Sequence, residues 1–303
     1  YTEDEFRENA QIDWDYLYQF NYNNIETGAA YSVVEDVNKD KTLNVISHFD
    51  TKLKDNWKFN ANFSYQNLKS DNFRRIKDLL GATFARNLDA YSNEGSNQWN
   101  LDNPDYKVYE GDRTQYSYIL NKNTYAINLS TEIDLPRWNV VASVFASHSE
   151  SYRDGQFRNH FYAVGNQSKG KSDVYNTTDA GMKAKVTYKI DGKNFLVYTG
   201  AFFTLAPTLN EIFVNPRTTN LITPEIQNMQ INSNELSYII RGQVLKLRLS
   251  GYYTTIQKAT EFSRYYFDIS GGTTDEGNAL AAEILTNLNK IYKGLELGAE
   301  VKI

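Results

Sequence analysis

Three features of the chain predict an all-β fold, an antiparallel up-and-down β-barrel of the membrane-spanning kind. Segments alternate apolar and polar residues with a period of two. Tight turns alternate with long polar loops. Aromatic residues are abundant, with 23 tyrosines and 16 phenylalanines among 303 residues. In Trp57-Lys58-Phe59-Asn60-Ala61-Asn62-Phe63-Ser64-Tyr65 every odd position is apolar and every even one polar. Side chains alternate across a strand, so one face is apolar and the other wet. A barrel in lipid requires this pattern, because every backbone polar group must pair with a neighbouring strand.

Taken in order, the first thirty residues fit two readings. Ile12, Trp14, Tyr16, Tyr18, Phe20 and Tyr22 alternate like a strand, while Trp14, Leu17 and Tyr18 share a helical face. Four tight turns follow, with the Asp, Asn, Gly and Pro chemistry of hairpins. Lys54-Asp55-Asn56 joins a strand near Leu43–Leu53 to one starting at Trp57. Leu135-Pro136-Arg137 joins Asn123–Asp134 to Trp138–Ser149, and Asp191-Gly192-Lys193 joins Asp179–Ile190 to Asn194–Thr204. Arg241-Gly242-Gln243 joins a strand near Gln227–Ile240 to Val244–Ile256, and a last strand runs through Leu295–Ile303. Asn232-Ser233-Asn234-Glu235 interrupts its strand with four polar residues.

Between hairpins the predicted loops are long, from about Lys69 to Lys122, Glu150 to Asn176, Leu205 to Ile226 and Gln257 to Asn289. Phe73 to Leu88 reads as an amphipathic helix interrupted at Gly81, inside the first loop. Short turns at one end and long loops at the other are the signature of outer-membrane barrels, in which the long loops are extracellular. Odd positions of Tyr125–Ile133 and even positions of Ala180–Ile190 face lipid in this reading. Lys183, Lys185 and Lys189 then point inward, as they must, since a lysine at the lipid midplane costs about 2–4 kcal/mol. Trp57 and Trp138 each follow a short turn, which places both at one membrane edge. Phe145, Leu196, Tyr198 and Phe202 fall on the face assigned inward.

Composition narrows the chemistry. No run of eighteen apolar residues exists, which excludes a membrane-spanning helix. Without cysteine there is no disulfide, zinc-thiolate site or cysteine nucleophile. The net charge is -5, with no basic run to suit nucleic acid. His148 lies between Ser147 and Ser149, but strand neighbours face opposite sides, so no serine–histidine pair forms and no catalytic residue is expected. Asp102, Asn103 and Asp105, and likewise Asp268, Asp275 and Glu276, lack the spacing of a calcium loop and read as solvated acids. Neither a metal site nor a cofactor is expected. Tyr106, Tyr109, Tyr116 and Tyr118 surround Arg113, and Arg264 precedes Tyr265 and Tyr266. Above a pore, such aromatic–arginine sets can bind a sugar face, a peptide or an iron chelate; loop packing accounts for them equally well.

The third loop carries a resemblance. Pro207, Leu209 and Glu211 form a P-x-L-x-E patch; Asn220, Leu221, Pro224 and Glu225 follow in an N-L-x-x-P-E arrangement. Leu247-Arg248-Leu249-Ser250-Gly251-Tyr252-Tyr253 and Gly294-Leu295-Glu296 come next. The series resembles the late-barrel signature of TonB-dependent outer-membrane receptors. Gln11–Tyr18 and Asp78–Gly81 look like loop segments of the large-barrel subfamily that begins with a carboxypeptidase-regulatory-like domain. The resemblance implies a Gram-negative outer-membrane location, surrounding lipid, and active import of a scarce bulky nutrient such as an iron-siderophore, corrinoid, glycan or peptide. It implies no enzymatic activity. It also implies two protein partners, the TonB energy-transducing complex, contacted through a plug domain, and a surface lipoprotein. Barrels of this kind have about 22 strands, and residues 1–303 supply about nine or ten. The expectation is therefore part of one barrel domain, with no plug, TonB box or signal peptide in the chain. The rival readings are a smaller outer-membrane porin or enzyme and a soluble, secreted carbohydrate-binding β protein.

Overall fold

The computed structural model describes residues 4, 12–89, 97–162, 167–268 and 278–302. A helix, α1 (Trp14–Asn23), precedes β1 (Val33–Lys54), β2 (Trp57–Asp78), β3 (Ala85–Arg86), β4 (Lys107–Val108), β5 (Arg113–Asp134), β6 (Trp138–Gly155), β7 (Gly170–Lys171), β8 (Tyr175–Lys189) and β9 (Asn194–Leu205). One helical turn, α2 (Leu209–Ile212), then leads to β10 (Met229–Arg241), β11 (Leu245–Asp268) and β12 (Asn278–Val301). The sheet order is β1-β2-β5-β6-β8-β9-β10-β11-β12, with β7 added beside β6; β3 and β4 form a separate two-stranded ribbon. Each long strand pairs antiparallel with the next in sequence. The fold is thus an all-β, up-and-down wall of the barrel type, with all four short turns at one end.

Register fixes the faces, because directly opposed residues point to the same side. Phe63 pairs with Ile127, Ile127 with Ala146, Ala142 with Ala184 and Val144 with Met182. Met182 then pairs with Phe202, Leu236 with Gly251 and Leu249 with Leu297. This outward face is an apolar belt that crosses every long strand. It is also bare: Phe63 is 49% exposed, Met182 59% and Leu295 82%. Among the described residues, the fully buried apolar side chains cluster toward the long loops, and Val197 is the exception. The turn-end half of the sheet therefore has no protein core on its apolar side. Soluble proteins rarely expose a contiguous apolar surface of this extent.

Rings bound the belt. Trp138 stacks on Tyr188 at 4.7 Å near the short turns, where the Trp57 indole donates to Thr131 Oγ1 at 2.8 Å. Tyr65 and Tyr125 pair at 5.0 Å farther up. From Trp57 to Tyr65 the strand runs nine residues, about 26 Å along its axis at ~3.3 Å per residue, within the ~9–11 residues by which a tilted barrel strand crosses a bilayer. The inward face is polar and internally compensated. Lys58 meets Glu132 at 3.2 Å, Lys246 meets Glu300 at 2.8 Å, Arg248 meets Glu235, and Ser237 bonds Ser250 at 2.9 Å.

Several expectations change. Leu196, Tyr198 and Phe202 pair with Tyr188, Val186 and Met182, so they face outward rather than inward. Phe145 does face inward, beside Phe203 and over Gly181. A Cβ at Gly181 would lie 2.3 Å from Phe203 Cβ and 2.7 Å from Phe145 Cε1. We expect Gly181→Ala to cost ~1–2 kcal/mol by overpacking, read from urea unfolding of the folded protein in lipid vesicles. The loops are shorter than the sequence suggests, because β1, β2 and β5 each run for 22 residues. Beyond the apolar belt, ion pairs such as Arg74–Asp36 and Arg75–Glu35 continue the ladder. Residues 232–235 do not interrupt β10, whose pairing to both neighbours is unbroken.

The segment Phe73–Leu88 is not helical. Phe73–Asp78 complete β2, and Gly81, at φ +84, sits in a turn conformation no helix uses. The helically spaced apolar set packs as a loop cluster instead, with Ile76, Leu79, Ala85 and Val108 buried together. The first segment is helical from Trp14, where Asp13 Oδ1 accepts from the Tyr16 N–H at 3.0 Å. Asn21 is fully buried and anchors α1; its amide donates to the carbonyls of Tyr31 (2.8 Å) and Leu79 (3.0 Å).

Candidate functional site

The long-loop end of the inner wall holds a vestibule. Tyr116, Tyr118 and Leu120, near the start of β5, are buried against Ile212 and Phe213, with Leu209, Ile222, Trp99 and Tyr175 around them. The segment 206–228 folds back onto the wall to make this contact. Its shape is set locally. Glu211 accepts from the Thr208 N–H at 2.6 Å, opening α2, and Thr223 Oγ1 donates to the Glu211 carbonyl at 2.7 Å. Phe213 bridges Ile222, and Glu225 takes a left-handed φ of 55° after Pro224. Leu221 is 39% exposed beside this bridge.

Arg153 fastens the loops to the wall. It is 1% exposed. Its Nε donates to the Pro216 carbonyl at 2.6 Å, and its Nη1 donates to the Ser168 carbonyl at 2.8 Å and to Asn220 Oδ1. Its guanidinium lies over Tyr118 at 5.4 Å. Burial pushes its pKa down to about 10, which leaves it cationic at neutral pH. Carbonyl oxygens and an aromatic face meet this charge.

Beside it, Arg217 lies over the Tyr116 ring at 4.6 Å and Arg74 over the same ring at 5.5 Å. Asp36 pairs with Arg74 at 2.6 Å and with Arg217 at 3.4 Å. The Arg74 guanidinium holds the Asp36 carboxyl below the ordinary range. Burial, then Asp36, pushes the Tyr116 phenol up to about 12. A cavity of about 460 Å³ opens here, lined by Tyr118, Asn210, Glu211, Asn215, Pro216, Arg217 and Phe262. That volume suits a small ligand or one lobe of a larger one. The lining offers amides, one carboxylate, one guanidinium and two rings.

The aromatic–arginine set expected from sequence divides. Tyr116 lies in the vestibule, buried beneath Arg217. Arg113 is held by Asp71 (2.7 Å) and stacks on Phe73 at 4.0 Å; Asp71 pairs with Ile119, on the outward face. Tyr106 and Tyr109 are exposed in the loop between β2 and β5. The backbone of Arg264, Tyr265 and Tyr266 belongs to β11, and their side chains lie outside the described residues. Pro207, Leu209, Glu211, Asn220, Leu221, Pro224 and Glu225 all belong to the folded-back segment 206–228. Arg153, Asp36, Arg74, Asn210, Asn215 and Arg217 were not singled out from sequence. The inward phase of Arg153 on its strand, and an Asn-Pro-Arg run beside the motif, are the available signals. His148 faces outward and bonds Thr178 at 3.1 Å. Asp102 is taken by Lys169 (2.6 Å) and Arg158 (2.7 Å), and Asp105 by Gln98; Asp275 and Glu276 lie outside the described residues.

The Asp102 pairs tie the loop before β5 to the loop after β6. Lys169, then Arg158, hold its carboxyl below the ordinary value near 3.8. A depressed carboxyl contributes stability above its unfolded pKa and loses it as pH falls through the folded one. Loop protection should therefore be constant at neutral pH and fall only below about pH 4. Pepsin cleavage within 97–112 and 156–174 checks this, and Asp102→Asn should abolish the acid step there.

No family model matches the chain, and no curated protein sequence matches it. Solved structures do. The copper transporter OprC aligns with a TM-score of 0.56 at 12% identity, over 89% of this chain and 36% of that one. The ferric-catecholate import receptor Fiu from K12 E. coli gives 0.47 at 12% identity, over 89% and 36%. BauA, the ferric preacinetobactin receptor from Acinetobacter baumannii, gives 0.41 at 12% identity, over 88% and 35%. The chain spans about a third of the length of each. The likeness to OprC is one of fold, an antiparallel barrel wall to which the present chain corresponds over 36% of that transporter's length.

Proposed function

We propose that this chain is part of the barrel wall of a TonB-dependent receptor in a Gram-negative outer membrane, and that the whole protein imports a scarce, bulky nutrient. The observation that carries the reading is the bare apolar belt. It runs in one phase across every long strand, and its opposite face is polar and ion-paired. Lipid is the solvent that makes such a surface stable. The likeness in fold to OprC and the motif resemblance in 207–225 support the same reading.

In this reading the cargo lands on the long-loop side and enters the vestibule over Arg217, Tyr116 and Tyr118. The exposed Tyr106 and Tyr109 and the Arg264-Tyr265-Tyr266 run are further candidate contacts on the long-loop side, whereas Arg113, held by Asp71 on the outward face, is not. A plug domain coupled to the TonB complex drives transport, and a surface lipoprotein assists capture. The wall performs no covalent chemistry; it supplies a lipid-compatible exterior, a polar lumen and a shaped entrance.

The test is genetic. Cells lacking the full-length protein should grow poorly under limitation for one of iron, copper, corrinoid, glycan or peptide, and the intact protein should restore growth. Loss of the energy transducer should reproduce the defect. Unimpaired growth under every limitation, with the protein absent from the outer-membrane fraction, would contradict the proposal.

A further inference from the structure

The outward face carries a groove that neither the wall nor the vestibule requires. It occupies about 600 Å³ around Gly251, walled by Leu236, Leu295 and Tyr198. Leu236 and Leu295 are the two partners of Gly251 across the sheet, so the missing side chain makes the floor. A Cβ at Gly251 would already lie 3.1 Å from Leu295 Cδ2.

The next row, toward the long loops, is polar. Asn234, Tyr253 and Lys293 pair in register across β10, β11 and β12. Asn234 Oδ1 accepts from the Tyr198 hydroxyl at 2.6 Å, and its amide donates to Asn232 Oδ1 at 2.9 Å. Lys293 is exposed and, among the described residues, makes no ion pair. An apolar belt has little use for a lysine and two asparagines. They sit where the belt ends, with the apolar recess directly below them on the short-turn side.

We infer that this groove binds one phosphorylated lipid of the outer leaflet, its acyl chain over Gly251 and its phosphate on Lys293 and Asn234. The inference rests on the outer-membrane reading. Two observations select this occupant over a protein helix or a second copy. The polar end presents the exposed Lys293 ammonium, which makes no ion pair among the described residues, while Glu235, the carboxylate of the lining, is taken by Arg248; this suits a phosphate. The recess extends from that end in the direction an outer-leaflet acyl chain takes when the short turns are periplasmic. Leu236 and Leu295 flank Gly251 two strand spacings apart, about 9–10 Å between backbones, which takes a chain segment rather than a helix of about 10–12 Å diameter.

The test uses the full-length protein in detergent, with native mass spectrometry after addition of dioleoyl phosphatidylglycerol or dioleoyl phosphatidylcholine. The wild type should retain one phosphatidylglycerol and prefer it to phosphatidylcholine. Gly251→Leu should lower retention of both lipids about tenfold. Lys293→Gln should erase the preference while keeping the chain bound. Heat-modifiable electrophoretic migration of each variant reports that the barrel is folded. Folded protein that retains no lipid, or variants that retain it like the wild type, would overturn the groove assignment alone. A protein that is folded and monomeric without detergent would overturn the membrane reading beneath it.

Discussion

Replacing Arg153 with alanine should release two loops at once. The side chain is buried at 1% exposure and serves acceptors 15, 63 and 67 residues away, in Ser168, Pro216 and Asn220. Its loss leaves buried oxygens without a donor, each worth about 1–3 kcal/mol, and removes the cation from Tyr118. The combined local cost should reach ~3–5 kcal/mol, the range for removing one member of a buried charged network. Hydrogen exchange should then accelerate about 10²–10³-fold in 167–172 and 215–221, while the strands near the short turns exchange as before. Arg153→Lys should recover only part of this, because an ammonium cannot reach three acceptors in the guanidinium plane. Unchanged exchange in both loops would show that Arg153 is not the fastening.

The second large effect concerns two adjacent residues of β8. Ala184 pairs with Ala142 and Gly200 on the outward face, whereas Lys185 points into the lumen opposite Val141 and Thr199. Ala184→Arg sets a guanidinium against hydrocarbon, at about 2–4 kcal/mol near the midplane. Lys185→Ala removes a lumen charge and should change stability by less than ~1 kcal/mol, as surface substitutions do. The readout is the folded fraction of the full-length protein after outer-membrane insertion. Equal tolerance of both variants would contradict the facing assignment.

The wall was legible in the sequence wherever alternation was strict. Trp57–Tyr65, Tyr125–Ile133 and Ala180–Ile190 declare their phase residue by residue. β9 does not: Leu196, Val197 and Tyr198, then Phe202 and Phe203, are apolar on both sides, and only pairing with β8 fixes which ones face out. Strand length was hidden because residues beyond the apolar belt keep pairing through charges, and charged stretches look like loop. The segment 73–88 shows that limit, since one apolar spacing suited both a helix and a loop cluster. The vestibule was the least legible part. Arg113 and Tyr116 are close in sequence, yet they stand three residues apart on one strand and so face opposite sides, and the register shift between Phe73 and Arg74, with Gln115 at φ 58°, keeps that phase. Arg153 depends on partners that no local pattern indicates.

Every part of this account needs lipid against the outward face. The stretch has no cysteine, so single cysteines can carry a fluorophore at Val144, Met182 and Leu249, and at their inward neighbours Ser143, Lys183 and Arg248. The full-length protein folded into vesicles is then exposed to a lipid-borne quencher or to iodide in the water. We expect the lipid quencher to dim the first three sites and iodide the second three. Quenching by iodide at all six, or a folded monomer that needs no lipid or detergent, would contradict the account.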